Sequence, residues 1–85
     1  MITKSVLINT IDNVKKLCAA ASDTEYDIDL VSGRYVIDAK SIMGIFSLDL
    51  SKKLDIRVHT DDEEAANVFF DTISGMVQYE PFSRL

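Results

Sequence analysis

Hydrophobic and polar residues alternate in four short segments, a pattern typical of strands with one buried face. β-branched and apolar residues dominate residues 2–8, and apolar residues recur at every second position in residues 26–31, 34–38 and 54–59. Ser32-Gly33 provides a two-residue turn between the second and third segments. The pattern therefore predicts four strands, with the middle two forming a hairpin.

Three other segments show the apolar spacing of a helix. Residues 11–21 carry apolar side chains at i, i+3, i+4 and i+7, and Thr10 is one of several N-cap candidates before them. The second helix is predicted at residues 41–50, and the third begins at Asp61-Asp62. The resulting order, β-α-β-β-α-β-α, predicts an α+β fold with one sheet covered by helices on one side.

Length, charge and cysteine content limit the number of domains, the classes of binding partner and the cellular location that are expected for this chain. The chain has 85 residues and a net charge of −5, so we expect one domain, residues 1–78, and a C-terminal tail, residues 79–85. The acidic balance argues against direct nucleic-acid binding, because a basic surface supplies most of that affinity. No segment reaches the roughly 20 apolar residues of a membrane span. A single cysteine cannot form an internal disulfide, which favours a cytoplasmic location.

The predicted second helix is more apolar than a short helix on a core requires. Its apolar residues cover about 220° of the circumference at 100° per residue, whereas a buried stripe of about 100° suffices. We expect Ile45 and Leu48 to face the core, and Ile42, Met43 and one edge of Phe46 to face solvent. An exposed apolar patch of this kind is typical of a protein-binding surface. The alternative is that a self-contact or the C-terminal tail covers it.

Ser41 lies at the predicted start of this helix, and two roles are open to it. The first is a simple N-cap, whose hydroxyl accepts a backbone hydrogen bond. The second is a phosphorylation site, because a phosphate there would meet free backbone N–H groups and add charge beside the apolar patch.

The stretch KSIMGIFSLDL, which begins at Lys40, resembles the regulatory-serine helix of HPr, the histidine-containing phosphocarrier family of the bacterial sugar phosphotransferase system (PTS). YDIDLVSGRYVIDAKSIMG is similar to the family's two middle strands, and LDIRVHTDDEEAANVFFDTI to its last strand and helix. The resemblance covers about residues 4–77. It implies an HPr-like open-faced β-sandwich, with a four-stranded antiparallel sheet and three helices on one face.

The resemblance also implies roles for the second helix. In many Gram-positive members of the family, the serine that corresponds to Ser41 is phosphorylated by a bifunctional kinase/phosphorylase. The phosphoserine form then docks onto a LacI-type transcription regulator in carbon catabolite repression. Ile42, Met43 and Phe46 match positions of the family's docking surface.

The start of the first helix departs from the family. HPr carries phosphate on a histidine within a Gly-x-His-Ala-Arg-Pro motif, and this chain has no histidine, arginine or proline there. By the family's spacing, the histidine position falls near Thr10 and the arginine position near Asp12. His59 lies on the predicted last strand and cannot replace the missing residue. The chain is therefore predicted to be a divergent, Crh-like regulatory member that is not a phosphohistidine carrier.

Two alternatives from other functional classes stay open. One is a carrier that uses a replaced nucleophile, for which Thr10 is the candidate, although a threonine phosphate would be a poor phosphoryl donor. The other is an interaction module whose patch closes a homodimer, with Ser41 only a cap. A single histidine and a single cysteine on different elements do not form a site. We therefore expect no metal, no cofactor and no enzymatic activity.

Overall fold

The structure is a computed structural model, and it describes residues 1–77. Its elements follow the predicted order β-α-β-β-α-β-α. In chain order they are β1 Ile2–Val6, α1 Ile11–Ser22, β2 Ile28–Ser32, β3 Tyr35–Asp38, α2 Ile42–Phe46, β4 Leu54–Val58 and α3 Glu63–Thr72. The predicted tail, residues 79–85, lies outside the described residues, as does Gln78 at the end of the predicted domain.

The four strands form one antiparallel sheet in the order β1-β4-β2-β3. β4 lies in the middle because it pairs with β1 on one side and with β2 on the other, and the β2–β3 hairpin leaves β3 at an edge. The three helices pack on one side of this sheet, so the predicted α+β open-faced sandwich is confirmed.

The core lies between the helices and the covered face of the sheet. Alternate residues of β4, namely Leu54, Ile56 and Val58, are buried, while Asp55 between them is exposed. The apolar stripes of the helices meet this face. Buried helix residues include Val14, Leu17 and Ala21 of α1, Ile45 of α2 and Ala66, Phe69 and Phe70 of α3.

The β2–β3 turn consists of Gly33 and Arg34, one residue later than predicted, because Ser32 still pairs with Tyr35. Gly33 has a φ of 60°, which glycine adopts without steric cost and which suits the first position of a hairpin turn. Tyr35, whose alternation with Arg34 predicts that it faces the core, follows this turn directly on the edge strand and is 65% exposed.

α2 ends at Phe46, four residues before the predicted end of this helix. The backbone N–H groups of Ser47 and Leu48 each donate to the carbonyl three residues earlier, at 3.1 Å. Bonds of this type tighten the last turn of a helix and close it. The chain then turns back toward β4, and Leu48 and Leu50 pack against the core from this loop, not from the helix.

Gly44 allows α2 to lie close against β3. A Cβ atom placed on Gly44 would lie 2.6 Å from Cγ2 of Ile37 and 3.2 Å from Oγ of Ser41. Real Cβ atoms essentially never lie within 3.0 Å of another atom, so with a larger residue here either the Ile37 side chain or α2 must shift. Glycine at this position therefore permits the close approach of the helix to the edge strand.

We expect Gly44→Ala to destabilise the fold by up to about 2 kcal/mol, because an overpacking cost of about 1–3 kcal/mol is partly offset by a gain of about 1 kcal/mol in helix propensity. Urea unfolding measures the difference. Gly75→Ala is the matched control, since nothing lies within 4 Å of a Cβ added there. A Gly44→Ala variant more stable than the wild type would show that the interface accommodates the added methyl group without overpacking.

Candidate functional site

Ser41 caps the N-terminus of α2, as its position predicted. Its backbone is extended (φ −99°, ψ 100°), and its Oγ accepts the N–H of Gly44 at 3.3 Å. The preceding turn is held by Asp38, whose carbonyl accepts the N–H of Ser41 at 2.9 Å and whose carboxylate accepts the N–H of Lys40 at 2.8 Å. Ser41 is exposed, and within residues 1–77 its hydroxyl donates no hydrogen bond.

The three residues predicted to face solvent form what we call the α2 patch: Ile42, Met43 and Phe46. They are 37%, 77% and 42% exposed, whereas Ile45 of the same helix is fully buried. The predicted division of the helix into an inner and an outer face is therefore confirmed. That the α2 patch binds a partner protein stays a prediction.

Lys40 is held beside Ser41 by contacts with α1 and with the loop that follows α1. Its ammonium donates to the carbonyl of Thr24 at 3.3 Å, and its own carbonyl accepts the thiol of Cys18 at 3.4 Å. The half-buried Cys18 thus acts as a small packing residue with one weak hydrogen bond. These contacts fix the backbone just before Ser41 against α1 and the loop that follows it.

Thr10 caps α1 in the same way that Ser41 caps α2. Its Oγ1 accepts the N–H of Asn13 at 3.1 Å, and the side-chain amide of Asn13 donates to the carbonyl of Ile8 at 2.8 Å. Asn9, with a φ of 43°, turns the chain from β1 into the helix, a conformation that asparagine tolerates better than most residues. Asp12 is exposed in the first turn of α1.

The structure connects the Thr10 loop to the far end of α2. The N–H of Asn9 donates to the carbonyl of Leu50 at 3.2 Å, so the loop before α1 meets the loop after α2. Ser41 lies at the opposite end of α2. Thr10 and Ser41 are thus both helix caps, and the chain beside Thr10 contacts the end of α2 that lies opposite to Ser41.

His59 follows the end of β4, one residue past the strand on which it was predicted. Its Nε2 lies 2.6 Å from Oδ2 of Asp29, and its backbone N–H donates to the carbonyl of Asp27 at 2.9 Å. The prediction that His59 does not lie near Thr10 is confirmed. Its pairing with Asp29 was not predicted, because that pairing depends on the β2–β4 register.

Two residues that shape these sites were missed by the sequence reasoning. Asn13 anchors the first turn of α1. The sequence could have indicated this role, because Asn13 lies three residues after the Thr10 cap. Gly44 sets the position of α2, but no local pattern indicates that a helical glycine meets a strand.

Among residues 1–77, no three His, Cys, Asp or Glu side chains group as metal ligands, and no helix has the length and apolarity to cross a membrane.

Comparison with known proteins supports the fold and adds a family. The family model for the PTS HPr component phosphorylation site matches residues 12–78. The crystal structure of HPr-C-His from Thermoanaerobacter tengcongensis is 26% identical, with a TM-score of 0.72 over 88% of this chain and 93% of that chain. The histidine-containing phosphocarrier protein of Mycoplasma is 17% identical, with a TM-score of 0.70 over 92% and 100% of the two chains, and it supports the fold alone. No curated protein sequence matches significantly.

The matched residues 12–78 begin inside α1 and include all later elements, Ser41 and the α2 patch. Thr10 lies two residues before them. The family model spans most of the chain, and the similarity to the HPr of T. tengcongensis extends over nearly the whole fold. The chain therefore belongs to the HPr family of phosphotransferase-system phosphocarriers.

Proposed function

We propose that this chain is a regulatory, Crh-like member of the HPr family, which acts through phosphorylation of Ser41 and docking of the α2 patch onto protein partners. The partners would be a serine kinase/phosphorylase and a LacI-type regulator or other PTS proteins. Residues 1–78 would form the single domain that carries both functions, and no catalysis by the chain itself is required.

The observation that carries the proposal is the arrangement at α2. An exposed serine hydroxyl, which donates no hydrogen bond within residues 1–77, lies directly before three exposed apolar side chains on a helix whose other face is buried. A kinase can reach such a hydroxyl without unfolding the domain. A phosphate would add a charge of about −1.5 to −2 at the edge of the patch, and would therefore change which surfaces the patch can bind.

The electrostatics around Ser41 also favour a regulatory phosphate. α2 has no acidic residue in its first turn, and the residue before Ser41 is Lys40, whose ammonium donates to the carbonyl of Thr24. The carboxylate of Asp38 already accepts the N–H of Lys40. A phosphate on Ser41 would therefore meet no carboxylate from the first turn of its own helix.

Incubation with an HPr serine kinase and ATP is expected to add one phosphoryl group, detected by intact mass, and to modify Ser41. Ser41→Ala is expected to abolish the modification. Ser47→Ala is the matched control, because Ser47 is exposed at the opposite end of the same helix and should leave the modification unchanged. Phosphate on the Ser41→Ala variant would contradict the assignment.

A homodimer closed by the α2 patch is the second candidate, because the same exposed apolar residues could pair with a second copy. Sedimentation at several concentrations distinguishes the two functions. If the chain acts as a regulatory docking protein, the wild type and the Met43→Ala variant are both expected to be monomeric at all of these concentrations. A dimer that Met43→Ala dissociates would favour the interaction module.

A further inference from the structure

A shallow depression lies at the tip of the β2–β3 hairpin, where it meets the loop between α2 and β4. We call it the hairpin depression; it has a volume of about 550 Å³. The lining residues are Ser32, Gly33, Arg34, Tyr35, Lys52 and Lys53. It is separate from the Ser41 cap and from Thr10, neither of which lines it.

The hairpin depression concentrates positive charge on an acidic protein. It contains three of the nine lysine and arginine residues of a chain whose net charge is −5. Among residues 1–77, the one ion pair of a cation in the depression is that of the Lys52 ammonium with the carboxylate of Asp49, at 3.9 Å. Two hydrogen bonds from Ser51 lower the pKa of Asp49 and occupy one of its oxygens.

The other two cations are not neutralised within the described part of the chain. Arg34 and Lys53 form no ion pair and no side-chain hydrogen bond within residues 1–77. Like charges repel when they are gathered in one place, so this clustering does not stabilise the fold by itself. A guanidinium group has five N–H donors in a planar fork that suits a carboxylate. The depression is therefore complementary to an anion.

The apolar surroundings indicate what kind of anion binds. Tyr35, which lines the depression, is 65% exposed, and Val36 beside it on the edge strand is 54% exposed. Tyrosine and arginine are enriched at protein interfaces and often dominate their binding energy. A small free anion would gain nothing from the apolar surface of these side chains. An enclosed small-ligand site would also require buried polar side chains, and none of the described polar side chains is buried.

We propose that the hairpin depression docks an acidic segment of a protein partner, with carboxylates on Arg34, Lys52 and Lys53 and an apolar or aromatic side chain on Tyr35. This surface is independent of Ser41 and would bind whether or not that residue is phosphorylated. It adjoins α2, because Ile37, two residues beyond Tyr35 on the same side of β3, is in contact with the backbone of α2 at Gly44. A partner seated on the α2 patch could extend into it.

Titration of the ¹⁵N-labelled full chain with a capped hexaglutamate peptide tests the proposal. Amide shifts are expected to concentrate on Arg34, Tyr35, Lys52 and Lys53, and binding should weaken as ionic strength rises to about 0.15 M. An Arg34→Gln/Lys53→Gln double variant should raise Kd by about two- to thirtyfold, since each of the two exposed ion pairs that it removes contributes about 0.2–1 kcal/mol. The control is Lys15→Gln/Lys16→Gln, which removes the same charge from the exposed side of α1 and should leave Kd unchanged.

Three results would overturn the proposal. The first is equal weakening by the two double variants, which would show attraction by overall charge and not by this surface. The second is pyrophosphate shifting the same amides at lower concentration than the peptide, which would identify a small-anion site. The third is no shift with the peptide at low ionic strength. Phosphorylation of Ser41 is measured separately, so failure here leaves the proposed function untouched.

Discussion

The chain is expected to stay unphosphorylated when it is incubated with phosphoenolpyruvate and the first enzyme of the phosphotransferase system. The family's spacing predicts that the histidine position falls near Thr10, whose hydroxyl accepts the N–H of Asn13 as a helix cap. A hydroxyl is a weak nucleophile unless an adjacent base activates it. Asp12, near which the family's arginine position is predicted to fall, adds negative charge in the first turn of α1 that should repel an incoming phosphoryl group.

The one histidine does not restore the reaction. His59 follows β4 at the end of the sheet where Ile2 pairs with Val58, whereas α1 begins beyond the other end of β1. The five residues of β4 separate these ends by roughly 16 Å. The imidazole of His59 is also paired with Asp29 at 2.6 Å, so a phosphoryl group on Nε2 would have to displace a carboxylate and then lie beside it.

Phosphate is measured by intact mass and by its stability in acid, with a family member that has the histidine as the positive control. Acid-labile phosphate on the wild-type chain would contradict the expectation, and His59→Gln would then show whether His59 carries it. A Thr10→His/Asp12→Arg double variant is the reciprocal test. It restores the imidazole and a neighbouring cation at the start of α1, and we expect it to accept phosphate that the wild type does not.

The sheet could be predicted from the sequence because it is covered on only one face. In β4 the buried Leu54 and Ile56 alternate with the exposed Asp55, and this period of two is visible without any knowledge of the neighbouring strands. The outward set of α2 was predictable for a similar reason. A short helix can bury only one stripe, so the excess apolar residues Met43 and Phe46 had to face solvent.

What the sequence could not predict depends on contacts between distant segments. The hairpin depression joins Arg34 on a turn to Lys53 on another loop, and only the β2-β4 pairing determines that these loops meet. The close approach at Gly44 likewise depends on the methyl group of Ile37 across the interface. Local propensity contains no information about either contact, because both arise from how the layers stack.

Substitutions on the two faces of α2 are expected to differ strongly in their effect on the free energy of unfolding. The difference tests whether the α2 patch is a binding surface. Ile45→Ala is expected to destabilise the domain by about 2–5 kcal/mol, because it removes a fully buried side chain and leaves a cavity. Small domains have total stabilities toward the low end of about 5–15 kcal/mol. The Ile45→Ala variant should therefore be partly unfolded or have a much lower urea midpoint.

Met43→Ala is the matched variant on the same helix, two residues away and mostly exposed. It is expected to change the free energy of unfolding by no more than about 0.5 kcal/mol, because the methionine side chain loses little contact with the core. If the patch serves docking, Met43→Ala should keep the fold and the modification of Ser41 but weaken binding to the phosphoserine-dependent partner. Equal destabilisation by the two substitutions would mean that Met43 is covered in solution. The α2 patch would then be part of the domain's own packing, and regulation through it would lose its physical basis.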